Sequence, residues 1–460
     1  MSRLVGMILV LGGLVVALVG LSWAFYLLAG ALAVGFARLG APAQYGAAIG
    51  NVVTMLLVVV MVPGSLLSVA ERKWSALIQN RIGANRIRVG GSALGGIPFL
   101  LADALKMLTK EKFQPAEATK FLFNLAPVLA FAPVLALFAI VPVGPELPLR
   151  AILGTEGALG QVGVALQIAN PDAGLLYLFA ISSLAVYGTS LAGWASNNKL
   201  ALLGGVRAAS QMISYEVSLG LALVGTMIAY RSLRLEEMVV AQGFTSLGAI
   251  PNLGLLLQPV GFLIFFASAF AETKRAPFDL PEGESEIVGY FLEYSGMQFG
   301  LMFLSEFVEI VILSGVIVAV FLGGWHPILF EEALRARLSP LAFAAIGAGA
   351  FLAKMVVLMW VQLLIRWVLP RFRYDQIQQL CWKILLPAAL VNIFVTAAAV
   401  LLDPSLRLLM VIGIVELVAM AAVTAAVSRQ PAAAGAHGHD DAHAHGHDDA
   451  HGHAAAAAGH

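Results

Sequence analysis

Apolar windows of about 20 residues, each able to cross a hydrocarbon layer of about 30 Å at 1.5 Å per helical residue, recur along this chain as far as residue 427. They cover residues 4–36, 46–70, 121–141, 175–194, 208–230, 254–271, 299–322, 341–367, 384–402 and 405–427. A bilayer core offers the backbone no water, so each crossing must satisfy its own hydrogen bonds as a helix. The pattern predicts an all-α polytopic membrane protein of about ten transmembrane helices. Hydrophobic residues make up 60% of the sequence and charged ones 12%, which excludes an ordinary soluble domain. The first window would extend about 50 Å as a helix, more than one crossing needs and too little for two. It is read as one extra helix with a trailing interfacial portion. It exceeds the apolar stretch of a cleaved signal peptide, so removal is the weaker reading.

Charge between the windows sets orientation. The loops at 71–120, 195–207, 272–298 and 366–383 hold 17 Lys and Arg, against 7 in the opposite loops, which assigns the first set to the cytoplasm. Within the first loop, residues 97–108 place Phe99, Leu100, Leu105 and Leu108 at helical spacing with Asp103 and Lys106 opposite. That is the pattern of an amphipathic helix lying in the interface. A single cysteine, Cys381, excludes a disulfide framework and a Cys-ligated cluster within the chain. The glycines at 90, 91, 95 and 96 follow no strand and open no helix of a dinucleotide fold, so nicotinamide or flavin chemistry belongs on another chain. Zero net charge gives no sign of nucleic-acid binding, and no metal site is expected in the body of the chain. Residues 430–460 hold eight of the nine histidines and four aspartates, and are expected to be disordered, either as a solvated tail or as a metal chelator.

The densest charge lies at 272–309, with eight carboxylates and two cations, Lys274 and Arg275, between two apolar windows. Pro277 and Pro281 bar a regular helix through its middle, so the acids sit on an irregular cytoplasmic loop. Glu282, Glu284 and Glu286 alternate by two; in an extended segment they would share a face and crowd their charges. The same acids suit a loop docking onto a basic partner surface. Glu216 interrupts an apolar window, where a carboxylate is costly and marks a proton relay or a polar peg bonded to a neighbouring helix. Glu306 and Glu309, three apart, can extend the same line. Glu416, alone in the last window, reads as a packing or subunit contact.

Four stretches carry a resemblance: Glu71-Arg72-Lys73 with QNRIGANR at 79–86, GWASNNKLALLGGVRAASQMISY at 193–215 running into Glu216, AETKRAPFDLPEGESEIVGYFLEYSGMQF at 271–299, and PRFRYDQIQQLCW at 370–382. In this order they resemble the proximal membrane subunit of respiratory complex I, the proton-pumping NADH:quinone oxidoreductase. The resemblance implies an eight-helix core at 46–402, with an extra segment at 1–45, an extra helix at 403–429 and the tail at 430–460 outside it. It implies a quinone tunnel built against a soluble iron–sulfur subunit, with quinone as substrate and no prosthetic group held by this chain alone. It further implies a proton path leading to antiporter-like membrane subunits, in a multi-pass protein of a bacterial inner membrane embedded in the lipid bilayer. Carried over by motif, the path would comprise Glu71, Glu216, Glu272, Glu282, Glu284, Glu286 and, less firmly, Glu306. Arg72, Trp74, Arg81, Phe99, Lys274, Arg275, Phe278 and Asp279 are the expected quinone contacts. The alternative is a homologous membrane subunit of an energy-converting hydrogenase or another ferredoxin-fed complex. A stand-alone cation transporter is a third reading, but nothing in the sequence suggests the discontinuous helices with paired ion ligands that such a protein uses.

Overall fold

The computed structural model describes residues 2–428 except 89, 92, 93, 248, 249, 284, 285 and 328–330; Glu284 and the histidine-rich tail therefore lie outside the described residues. The chain divides into two units, residues 1–416 and 417–460. Of the second, the described part is the end of a helix, with Val418 and Val423 exposed.

Helix α1 spans Ser2–Arg38 and α2 spans Ala43–Ile78, the latter with wider, π-type turns over Val53–Met61. Next come α3 (Pro98–Thr109), α4 (Lys120–Leu137), α5 (Gly174–Ala195), α6 (Lys199–Tyr230) and α7 (Leu235–Gln242). Short α8 (Gly254–Leu257) precedes α9 (Pro259–Glu272), followed by α10 (Gly296–Phe321), α11 (Pro340–Val368), α12 (Tyr374–Leu402) and α13 (Arg407–Ser428). Among the described residues, nine helices are long and apolar enough to cross a membrane, and α9 is a shorter apolar helix of 14 residues. The chain is a multi-pass membrane protein.

Apart from Glu306 and Glu309, helix α10 is almost wholly apolar on every side, and every residue from Ser305 to Phe321 is buried. That is the expected signature of a helix at the centre of a bundle. Helices α2, α4 and α11 pack on it. Between α4 and α5 the sequence showed only a long loop; the structure adds an antiparallel hairpin of β1 (Gly144–Pro148) and β2 (Gly163–Leu166). The Tyr26 hydroxyl donates to the Pro145 carbonyl at 2.7 Å, and Asn51 Nδ2 donates to the Ala165 and Gln167 carbonyls. The hairpin's unpaired backbone groups are thus taken up by α1 and α2.

Two expectations need correction. The window at 254–271 is not one helix, because Pro259 lacks an N–H and disfavours helical geometry in the residue before it. Gln258 accordingly takes φ −141° and ψ 60°, so the crossing is discontinuous. The amphipathic helix exists as α3, but its uncovered apolar residues are Leu101, Leu105 and Leu108, while Phe99 and Leu100 are half-buried.

Helices α4 and α5 approach so closely that a Cβ on Gly188 would stand 2.3 Å from the Ala130 backbone nitrogen, which cannot yield. Small residues let membrane helices meet at backbone distance. Gly188→Leu should therefore lower the thermal stability of the detergent-solubilised protein by about 3 kcal/mol, as overpacking does, read as a fall in Tm.

Candidate functional site

The four stretches that carried the resemblance meet at one end of the helices. Arg275 Nη1 stands 3.0 Å from Glu71 Oε2, and Arg366 pairs with the other Glu71 oxygen. Arg371 Nη2 lies 2.9 Å from Asp279 Oδ2, and Arg207 Nη1 donates to Glu286 at 2.7 Å. The Ser210 and Tyr374 hydroxyls are 3.1 Å apart.

The acid and base cluster starts where α9 ends. After Glu272, Lys274 adopts φ 55°, a left-handed conformation unusual for a residue with a side chain. Its side chain is buried, with Nζ 3.4 Å from Glu309 Oε2. Burial works against the Lys274 charge, but Glu309, Glu306 and Glu272 outweigh it and hold the ammonium above its ordinary range. Next along the chain, Arg275 lies with its guanidinium carbon 4.1 Å from the centre of the Phe307 ring and its Nη2 3.4 Å from Glu306 Oε2. One guanidinium is therefore shared between Glu71 of α2 and Glu306 of α10. The Tyr290 hydroxyl donates to Glu306 Oε1 at 3.3 Å.

Glu272 is buried, and Glu309 and Glu216 are both close enough for their charges to act on it. Glu216 is half-buried on α6, where the hydroxyls of Ser182 and Ser183 on α5 both donate to its Oε1, at 2.8 and 2.6 Å. It is thus bonded to a neighbouring helix and also within the electrostatic reach of the cluster.

Of the loop acids, Glu282 and Glu286 do not share a face. The amides of Glu286, Ile287 and Val288 all bond the Gly283 carbonyl, so the chain turns instead of running extended. Glu282 faces inward, and burial, followed by the Glu306 charge, pushes its carboxyl well above the ordinary range. Glu286 faces water, and its hydrogen bond to Arg207 holds it below that range.

The residues expected to contact quinone separate into four places. Arg72, Arg81 and Phe99 line a groove of about 480 Å³ together with Ser75, Ile82 and Arg86, and Arg72 also pairs with Asp103 at 2.7 Å. Lys274 and Arg275 belong to the acid and base cluster. Phe278 is buried among Tyr215, Phe270 and Phe372, Asp279 is held by Arg371, and Trp74 packs edge-on against Trp360. Two members of the cluster escaped the sequence reading. Arg366 is a cation in the last turn of an apolar helix, a signal that orientation counts used and site reasoning did not. Tyr290 gave no signal at all.

Fold and site together define a polytopic helical membrane protein with a buried acid and base cluster at one end, beside a groove lined by arginines. The chain belongs to the NADH dehydrogenase family, whose model matches residues 51–397. It is 43% identical over 348 residues to a Geobacter sulfurreducens protein named as a subunit of NADH-quinone oxidoreductase, covering 75% of this chain and 94% of that protein. It is 40% identical over 367 residues to the like-named protein of Bdellovibrio bacteriovorus, covering 75% and 94%, and 42% identical over 353 residues to that of Rhodospirillum centenum, covering 76% and 94%.

Removing one partner of a buried pair leaves a charge without compensation. Arg275→Met, which unpairs Glu71 from the loop and Glu306 from its cation, should cost roughly 3–5 kcal/mol in thermal unfolding of the solubilised protein. Glu282 has a raised folded-state value, so its contribution to stability is full below the ordinary carboxylate range and declines as pH rises through the folded value. Glu282→Gln, which mimics the protonated acid, should match the unsubstituted protein near pH 4 and exceed its Tm at about pH 8.

Proposed function

We propose that the chain binds a quinone and couples its reduction to proton movement, as one membrane component of a multisubunit NADH:quinone oxidoreductase in a bacterial inner membrane. The observation that carries this reading is the sharing of Arg275 between Glu71 and Glu306, with Glu71 directly preceding Arg72 of the arginine-lined groove. Arg72 lines that groove with Arg81 and Phe99. Ile82 and Phe99 beside its arginines combine an apolar wall with polar groups, which suits a quinone head.

Reduction to the quinol takes two electrons and two protons. The electrons arrive from a soluble iron–sulfur partner docked at this end, and the change in charge falls beside Glu71. At an effective dielectric constant of 20, two charges 4 Å apart interact by about 4 kcal/mol, while one pKa unit corresponds to about 1.4 kcal/mol. Loosening Arg275 from Glu71 is therefore enough to alter the charge balance around Glu306 and, through it, how strongly Glu282 holds its proton. Lys274 carries the disturbance to Glu309 and Glu272, and Glu272 acts on Glu216. Antiporter-like membrane subunits would take it further. The names of the relatives favour quinone over a ferredoxin-fed reaction.

Glu216→Gln keeps a hydrogen-bond acceptor for Ser182 and Ser183 but removes the ionisable proton. In assembled complex in inverted membrane vesicles, quinone-driven proton uptake should fall by roughly a hundredfold, the lower end of what a positioned proton-transfer group supplies. Undiminished coupled turnover would reject a proton role for Glu216.

A further inference from the structure

The family match ends at residue 397, yet the chain continues into α13. Within the first unit, the start of α13 is built against the break between α8 and α9. Leu409 and Met410 are buried in an apolar cluster with Leu257, Ala229, Ala399 and Val400. Gly413 and Glu416 follow at three-residue steps, on the same side of the helix. A Cβ on Gly413 would stand 1.9 Å from the Leu256 carbonyl oxygen and 3.3 Å from Pro259 Cδ, so only glycine permits this approach. One turn further on stands the half-buried Glu416, with the backbone of Val260 within its electrostatic reach. Val260 is the second residue of α9, and the first amides of a helix have no partner within it.

From the other side, the break is held by the core. Gln258 Nε2 donates to Thr396 Oγ1 at 2.6 Å, and Asn392 Nδ2 donates to Gln258 Oε1 at 2.6 Å. Gly225 makes room for this, since a Cβ there would stand 2.6 Å from Gln258 Oε1. The core thus satisfies the side chain at the break, while α13 packs on the break through Gly413 and places Glu416 near the amide just after it. A lone carboxylate facing lipid would be expensive, whereas one at a helix start is favoured by the helix dipole.

Helix α9 is about 21 Å long and ends at Glu272, with Lys274 and Arg275 directly after it. A short helix moves as a unit, so what fixes its first turn also fixes the height and rotation of its last. We propose that Gly413 and Glu416 are positioning residues that clamp the start of the discontinuous helix α9 and thereby set the placement of Glu272 in the acid and base cluster. The clamp stands on the Gly413 approach and the packing of Leu409 and Met410 beside it; its effect on turnover rests on the proton path proposed above.

The test uses the whole complex in native membranes with the variants Glu416→Gln, Glu416→Leu and Gly413→Leu. Four readouts are needed: the amount of assembled complex, hydrogen exchange of the amides of residues 260–272, kcat and KM for a short-chain quinone, and the pH profile of turnover. Glu416→Gln retains an acceptor for the Val260 amide and should resemble the unsubstituted protein. The two leucine variants should raise exchange in α9 and lower kcat about tenfold at little change in KM, as small misplacements of reacting groups do. They should also displace the pH profile, because Glu309, Glu216 and Lys274 face Glu272 from α10, α6 and the following loop. Unchanged exchange in both leucine variants overturns the clamp. Activity lost only in proportion to assembled complex, with an unmoved pH profile, also overturns the proposal by reducing α13 to an assembly contact. Glu272→Gln separates the two readings: if it turns over and pumps normally, the proton role of Glu272 fails, whatever α13 does to α9.

Discussion

Everything at the cytoplasm-assigned end of the helices depends on charges that have been taken out of water together. Arg275 is buried with its guanidinium between two carboxylates from different helices, and Lys274 is buried against a third. Desolvating such groups costs several kcal/mol each, and only mutual attraction at short range offsets it. The loop after α9, the end of α2, the first half of α10 and the end of α11 are therefore held in one arrangement, since moving any of them would strand a charge. The same constraint makes the cluster responsive. A group added or removed next to Glu71 alters the balance for Arg275, and through it for Glu306.

The groove and the cluster touch through consecutive residues. Glu71 belongs to the ion pairs and Arg72 to the groove wall, so the groove and the buried network share adjacent residues of α2. Burial and the neighbouring Glu306 charge hold the Glu282 carboxyl above its ordinary range, so a change in the charges around it is felt there. The exposed Glu286, paired with Arg207, takes no part in this arrangement and instead ties the loop to α6.

The crossing through α8 and α9 shows how a break in a membrane helix is tolerated. Gln258, Asn392 and Thr396 bond one another at the break within the core, and Gly413 brings the helix beyond the family-matched region against it. Non-helical backbone at this depth survives where protein surrounds it. The appended helix is thereby bound to the one crossing whose opposite end carries the acids.

Much of this was legible in the sequence. Apolar windows gave the number and order of crossings, because a carboxylate or amine in lipid is penalised wherever it stands and the pattern needs no knowledge of neighbours. The acidic stretch, Glu71, Glu216 and the pair Glu306 and Glu309 stood out for the same reason. The sequence could not say which charge meets which: that Arg366 closes on Glu71 across 295 positions, that Glu282 turns inward while Glu286 faces water, or that Phe278 and Trp74 pack away from the groove. Nor did it reveal that Pro259 breaks its helix. Burial cost is a property of each residue and is written along the chain, whereas pairing depends on distances between helices that only their packing fixes.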